Sequence, residues 1–569
     1  MTFAATARIR PRPVFCVVAA AHRDLERAAA VANGTFTHLG ITLDAGHEPD
    51  WLGVDLAHAH GRTGDERFKT TWVQLVESFL RAVPVGFDDT EVAARRVQNW
   101  IYAWTLFEEL PPQLEHDLLE RITAETAYVR RNLTPERNHR TLELYGLFLA
   151  ALAFPSLDVD GTLLAFSIDQ LHRNLLVDFR PDGVHREAST HYHLTALRSL
   201  VAARENARRF GIEFPVGFDD LLARACEFAL HCHRPDGVIA ALSDGDGASF
   251  VDLLDLAGDL LGRDELRWVA SAGCRGRPPT ERFAAFHNGG YYFQRSGWGE
   301  NAKQFRDEHF LVLDCGPLGD GGHGHYDLLS VEIAANGRPL VVDPGRYTYS
   351  EQPPNFRRWF KGTAAHNTVC VDGLDQTAYR RGKPKRPVAE GRLLQRHTRE
   401  RLDMILVQAV SPEYDALHTR RVVFLDGDYW LIEDRLDGKK PHRFDLRFHL
   451  TPTALGRTKV ESGTVRAPGF ALVLSEPHKP RIEDGWVAPT YGRKERAPVV
   501  SVVVDNSPDA TFVTLVAPLR DRQALPAIEV ASAAETTTVE VIWAVEPGHR
   551  DRISWTSDSI EAELGGLPA

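Results

Sequence analysis

A chain of 569 residues is too long for one ordinary core, so two or three domains are expected. With 43% hydrophobic and 25% charged residues its composition is globular, and no stretch approaches the roughly 20 apolar residues of a membrane helix. A net charge of −12 argues against nucleic acid as a partner and gives no long-range pull on a polyanion, which would need a local basic patch.

The first segment mimics a short signal peptide: Arg8, Arg10 and Arg12 precede the apolar run from Val14 to Ala21. Two prolines stand before that run and His22-Arg23-Asp24 ends it early. The reading therefore leans to no cleaved signal and a bacterial-type cytoplasmic protein, with periplasm or secretion left open. From about residue 65 to 275 the spacing is helical. Asp65–Val83 places Phe68, Trp72, Val73, Val76, Phe79 and Leu80 on one face, and similar patterns follow at Val92–Leu110, Leu114–Val129, Thr141–Ala153, Leu164–Phe179, His193–Phe210 and Phe218–His231. Proline and glycine punctuate the gaps, and paired helices of this length predict a solenoid or toroid. Trp51, Trp72, Trp100 and Trp104 are candidates for stacking on sugar rings, but their helical setting places most of them in a core.

From about Gly289 the texture becomes period-two and β-rich. Strands are predicted at Tyr291–Arg295, Phe310–Asp314, Leu329–Ala334, Pro339–Val342, Thr368–Val371, Val422–Leu425, Tyr429–Glu433, Phe444–Leu450, Val499–Val504, Thr511–Val516 and Thr537–Trp543. The expected division is a helical domain over residues 1–285 and an antiparallel β-sandwich over residues 286–569. The six cysteines are scattered without a CxxC pair, which predicts free thiols.

Four stretches carry titratable groups. Asn138-His139 opens a helix, where Asn is as much a cap as a polarising group and a single His is usually incidental. Glu187-Ala188-Ser189-Thr190-His191-Tyr192-His193 crowds a loop entering a helix, and a cation beside Tyr192 would make it a general acid or base. Its plainer reading is a solvated loop with Ser189 or Thr190 as cap. In Gly319-Asp320-Gly321-Gly322-His323-Gly324-His325-Tyr326-Asp327 the glycines allow a tight turn and close approach, with no phosphate-loop GK[ST]. Asp343, ending one strand, and His366, starting another, would suit zinc, although Asp343 equally suits a turn. A basic stretch of Arg357, Arg358 and Lys361, continued by Arg380, Arg381, Lys383, Lys385 and Arg386, is either a solvated face or a cradle for carboxylates or sulfates.

In order along the chain, these pieces resemble the heparinase II/III-like polysaccharide lyases, the group that includes heparinase II, heparinase III and oligoalginate lyases. The matching residues are Asn138-His139, Glu187 to His193, His323-Gly324-His325, Val342-Asp343-Pro344-Gly345, and Arg357-Arg358-Trp359 leading to His366-Asn367-Thr368-Val369. Arg96-Val97-Gln98-Asn99-Trp100-Ile101 is similar to the family's N-terminal region. The resemblance implies an incomplete (α/α) toroid followed by an antiparallel β-sandwich, and β-elimination at a uronic acid. By the same resemblance Asn138 would neutralise the C5 carboxylate, His139 or Tyr192 would take the C5 proton, Tyr192 would protonate the leaving O4, and His323 would assist. Glu187, His193, Tyr347 and Arg358 would contact substrate. His325, Asp343 and His366 would hold a structural Zn2+, with no organic cofactor. Tyr326 departs from the family pattern, where a small residue is common.

The partner implied is an acidic polysaccharide or oligosaccharide. The acidic net charge favours a weakly charged uronate polymer such as alginate, a heparan-like glycan or a bacterial exopolysaccharide. Oligomeric state stays open, a dimer included. Three other functions compete: a uronate C5-epimerase using the same proton abstraction, a non-catalytic polysaccharide-binding or assembly protein, and a glycoside hydrolase. The last needs two carboxylates about the bond, and Glu187 has no evident carboxylate partner in the sequence.

Overall fold

A computed structural model describes residues 8–17, 24–33, 35–38, 41–44, 53–135, 137–300, 304–381, 387–519, 525–533, 536–543 and 549–565. Trp51, Val18 to Arg23, Lys383, Lys385 and Arg386 lie outside the described residues. The chain divides into two compact units, one running to Arg180 and including Leu194–Ala225, the other made of Pro181–His193 and the residues from Cys226 onward.

The first unit is helical. Glu66–Ala82, Thr90–Phe107, Pro112–Arg131, Arg137–Ala153 and Thr162–Asp178 lie within a residue or a turn of the spans that apolar spacing predicts. Asp65 caps the first of these by accepting from the Arg67 backbone amide, which satisfies one of the orphan N–H groups of a helix start. Arg137–Ala153 is buried from Thr141 to its end and packs on both Thr90–Phe107 and Thr162–Asp178. Gly146 permits that closeness, because a Cβ there would stand 3.1 Å from the Ala94 carbonyl oxygen. Trp72, Trp100 and Trp104 are buried, as their helical setting predicted. The segment around Phe15 is tied to this unit by the Asn206 side chain, which accepts from the Phe15 amide at 2.7 Å.

The second unit is dominated by antiparallel strands. Ala285–Phe286, Tyr291–Arg295, Phe310–Asp314, Val331–Ala335 and Arg338–Val341 form a five-stranded meander. A ten-stranded sheet runs in the order Lys459–Glu461, Thr464–Ala467, Phe470–Leu474, Arg493–Pro518, Tyr429–His449, Leu417–Leu425, Leu402–Val410 and Glu390–Arg399, with Arg481–Thr490 and Val369–Val371 added at the sides. Ala527–Ala533, Thr536–Trp543, His549–Trp555 and Ile560–Leu564 make a third sheet. The large sheet is covered on both faces. Ile405, Val407, Phe424, Trp430 and Ile432 share one core with Leu311, Leu313 and Ile333 of the meander. Met404, Leu406, Val423, Leu431 and Leu515 share another with Val539, Trp543, Ile553 and Trp555 of the third sheet. Neighbouring residues thus alternate between two apolar layers, which is why the sequence reads as continuous apolar runs here. Full burial of each large side chain stabilises by about 1.5–3 kcal/mol.

Two pairs of predicted strands are single long strands. Tyr429–Glu433 and all but the last residue of Phe444–Leu450 belong to Tyr429–His449, and Val499–Val504 and Thr511–Val516 belong to Arg493–Pro518. The two strands pair with each other through the polar middle, Asp437 opposite Asp509 and His442 opposite Ser507, with register shifts. Backbone hydrogen bonding continues where the apolar alternation stops, so periodicity alone reports a break. No helix among the described residues is long and apolar enough to cross a membrane. The six cysteines are free thiols.

Candidate active site

Within the second unit, four segments converge. The first is the loop His185–Ser189 and the start of the helix Thr190–Arg209. Ser189 Oγ accepts from the Tyr192 amide as a helix cap and donates to the Asp244 carbonyl at 3.1 Å, while Thr190 Oγ1 donates to the Ala240 carbonyl at 2.7 Å. The second is the glycine-rich loop around His323. Gly319 has a positive φ of 76°, and a Cβ there would stand 2.7 Å from the Glu187 carbonyl oxygen. At Gly324 a Cβ would fall 1.8 Å from the Leu318 carbonyl oxygen, so the residue between the two histidines must be glycine. The third segment carries Asp244 and Asp246, and the fourth runs from Asp343 to Lys361.

Asp244 is fully buried and sits at the centre. His323 Nδ1 and His325 Nε2 each donate to it at 2.9 Å, and the Arg357 guanidinium grips both of its oxygens. Burial alone would raise its pKa, but these donors hold it well below the usual carboxylate range. An ionised carboxylate only accepts, so it fixes two tautomers in opposite senses. In the neutral ring His323 places its proton on Nδ1 and leaves Nε2 as the acceptor. His325 carries it on Nε2 and keeps the Nδ1 lone pair.

The His323 ring stacks on Tyr192 with centroids 3.9 Å apart. The Tyr192 hydroxyl accepts from Arg346 Nη1 at 3.0 Å and lies 2.7 Å from the Tyr349 hydroxyl, to which Arg346 also donates. Asp246 holds the far side of that guanidinium with bonds of 3.0 and 2.7 Å. Burial raises the Tyr192 pKa and Arg346 draws it back, leaving a net upward shift, so the phenol is neutral near pH 7. With Arg346 donating to its oxygen, and Tyr349 able to do the same, the Tyr192 proton is free for a third partner. His323, Tyr349 and Arg357 line a solvent-open cavity of about 540 Å3.

His325, Asp343 and His366 come together as predicted, with one ligand atom from each within 4.8 Å of the others. All three are buried, and His366 Nδ1 is 2.9 Å from Asp343 Oδ2. The His325 Nδ1 lone pair is buried without a hydrogen-bond partner, so the group fits a metal ion there. Burial pulls His325 down to about 4, which keeps it neutral and able to ligate. Burial also opposes charge on His366, yet Asp343 and Asp327 raise it to about 9.

The other predicted residues have partners of their own. Asn138 and His139 belong to the first unit, where Asn138 is buried and His139 Nδ1 lies 2.5 Å from Glu91. Glu187 is buried in the loop below Tyr192. His193 accepts from the His185 amide at 3.3 Å and packs edge-on against Phe228. The Tyr347 ring packs on Phe356 and Phe360 beneath Lys494, and Arg358 lies over Tyr379. It is Tyr349 and Arg357, their near neighbours in sequence, that reach the network. Asp244, Asp246, Arg346 and Tyr349 were not singled out from sequence. The available signal was the acid–glycine alternation Ser243-Asp244-Gly245-Asp246-Gly247.

A cation-polarised phenol stacked on a carboxylate-oriented imidazole, in a chain of helices followed by stacked antiparallel sheets, defines a site for acid–base chemistry. Residues 48–254 match the family described as Heparinase II/III N-terminus, and residues 278–539 the family described as Heparinase II/III-like, C-terminal. The chain is 24% identical over 513 residues to a heparin-sulfate lyase of Pedobacter heparinus, covering 85% of this chain and 75% of that one. A heparin-sulfate lyase of Bacteroides stercoris is 23% identical over 526 residues, covering 84% and 76%. Among solved structures, heparinase III superposes with a TM-score of 0.79 at 16% identity, over 97% of this chain and 94% of that one. A mutant of the heparan sulfate lyase HepC from Pedobacter heparinus gives 0.70 at 19%, over 99% and 91%. The chain belongs to the heparinase II/III family, and its fold is the helical toroid and β-sandwich that the resemblance implied.

Proposed function

We infer that this polysaccharide lyase acts on a heparan-type glycosaminoglycan, eliminating across the 4-O bond of a uronate and leaving a 4,5-unsaturated end. The observation that carries the chemistry is the stacked pair of Tyr192 and His323, each oriented by a separate charged partner. Tyr192 donates its proton to the departing O4, and Arg346 stabilises the phenolate that forms. His323 Nε2, the ring nitrogen not bonded to Asp244, takes the C5 proton. The imidazolium then returns a proton through solvent to Tyr192, so the site is restored after each turnover. Acid and base lie on one side of the substrate, which favours removal of the C5 proton and O4 from the same face. Asn138 takes the role of neutralising the C5 carboxylate on the strength of the family resemblance, with His139 as the alternative base. Residues 1–285 and 286–569 are read as the two functional domains.

The metal is read as Zn2+, held by His325, Asp343 and His366. A bound ion would lock the segments that carry His323 and Asp244. About one zinc per chain is expected by elemental analysis, lost in His325→Ala; protein free of zinc after preparation without chelators would remove that assignment.

The test of the function is ultraviolet absorbance during incubation with heparan sulfate, alginate, hyaluronan and chondroitin. Absorbance should rise with heparan sulfate as the conjugated double bond forms. A rise only with alginate would replace the substrate, and solvent deuterium entering C5 without any rise would replace elimination by epimerisation.

A further inference from the structure

Lys361 ends the short helix Phe356–Lys361, lines the same cavity as His323, and is only 3% exposed. Its ammonium donates to the Gly322 carbonyl at 2.8 Å and sits 5.5 Å from the ring of Tyr326, the residue that departs from the family pattern. Among the described residues no carboxylate oxygen lies within 4.0 Å of it, and Asp244, Asp327 and Glu351 act on it only from further away. Buried ammonium groups are ordinarily paired, because water's solvation has to be replaced. Burial draws its pKa down to about 8, so it still carries charge near pH 7. Its neighbour one turn back, Arg357, donates to the same carbonyl at 3.1 Å, but that guanidinium is committed to Asp244.

The rest of the wall agrees in sign. Arg380 lines the cavity and has no carboxylate partner among the described residues. Among the described lining residues the one acid, Glu351, is engaged by Arg381 at 2.7 Å and by the Tyr379 hydroxyl at 2.8 Å. A volume of about 540 Å3 lies within the roughly 300–1,000 Å3 of small-molecule sites and exceeds the needs of one sugar ring. A saccharide that reaches His323 would therefore set substituents of the neighbouring ring against Lys361 and Arg380.

We propose that Lys361 and Arg380 form a second anion pocket beside His323, which takes a sulfate or carboxylate carried by the sugar adjacent to the uronate that loses its C5 proton. The proposal rests on the lyase reading and adds to it the preference for a substituted polymer.

Two measurements test it. Thermal unfolding with sodium sulfate against sodium chloride at equal ionic strength reads the pocket without turnover. Sulfate raises melting temperature non-specifically by exclusion from the surface, so the pocket is read as a saturable gain at millimolar sulfate on top of that slope, present in the wild-type protein and lost in Lys361→Gln. Steady-state rates on heparan sulfate and on the same backbone stripped of sulfate read the specificity. The ratio of the two kcat/KM values should fall about tenfold in Lys361→Gln and about threefold in Arg380→Ser, through KM. An unchanged ratio, or a saturable sulfate gain as large in both variants as in the wild-type protein, would overturn the pocket. A fall confined to polymers with a carboxylate on the adjacent sugar would assign it to carboxylate rather than sulfate. Wild-type protein stabilised by sulfate through Lys361 but making no product from any polymer would sink the lyase reading and leave the pocket standing. Arg380 is exposed, so its variant decides the case if Lys361→Gln fails to fold.

Discussion

Each unit contains a pair of tyrosines joined hydroxyl to hydroxyl, and only one pair is built for chemistry. In the helical unit Tyr102 and Tyr145 meet in a fully buried setting, with Asn206 as the further donor to Tyr145. Burial pushes both phenols far up, and no cation among the described residues answers it. In the second unit Tyr192 and Tyr349 meet at 2.7 Å with Arg346 donating to both and the cavity open beside Tyr349. The difference is one guanidinium and one solvent face. The first pair is a hydrogen bond that holds helices; the second is a proton with a route out and a charge waiting for the phenolate.

The sharpest way to break the contrast is to remove the Tyr192 proton. Tyr192→Phe should lower kcat by about a thousandfold with the melting temperature little changed. A fully active variant would mean that the acid lies elsewhere. Removing the cation comes next: Arg346→Gln should cost about a hundredfold in kcat, the size seen when one donor to a developing oxyanion is lost. If it cost no more than Tyr349→Phe, the guanidinium would be a spacer.

A third prediction concerns the loop that presents Asp244. His233 anchors it, donating from Nδ1 to the Ala229 carbonyl at 2.7 Å and accepting the Phe250 amide on Nε2 at 3.2 Å, and burial lowers its pKa to about 4. The unfolded chain, with a value near 6.5, takes up this proton first. Stability should therefore fall as pH drops from about 6.5 to about 4 and then level, by up to about 3 kcal/mol from this group. Denaturant melts across that range should show it, and His233→Gln should flatten the slope. The smallest effect belongs to the structural pair: Tyr102→Phe should cost about 1 kcal/mol of stability and leave kcat alone. A large loss of rate there would erase the distinction between the two pairs.

Much of this architecture was legible because it rests on local pattern. Trp72, Val76 and Phe79 repeat at helical spacing whatever lies around them, and the strands Tyr291–Arg295 and Phe310–Asp314 keep the bounds that their β-rich runs predict, with every residue buried. The third sheet layer was not legible, since a run such as Leu402-Asp403-Met404-Ile405-Leu406-Val407 does not say which two partners its faces meet. Of the site, His325, Asp343 and His366 could be assembled from the resemblance, but Asp244 could not. Its role is made by His323, His325 and Arg357, which lie 79 to 113 positions further along the chain. Arg346 was hidden for the same reason: its meaning depends on Tyr192, 154 residues earlier.

The doubly covered central sheet bears on how the molecule is made. Met404 and Leu431 emerge during synthesis long before Val539, Trp543 and Trp555, and Leu515 shortly before them; these later side chains cover all three. Until then one whole face of the large sheet is an open apolar wall, the kind of surface on which nascent chains stick to one another. Production of this protein should be limited by aggregation of chains stopped near residue 525, and a holding chaperone should matter most in that interval.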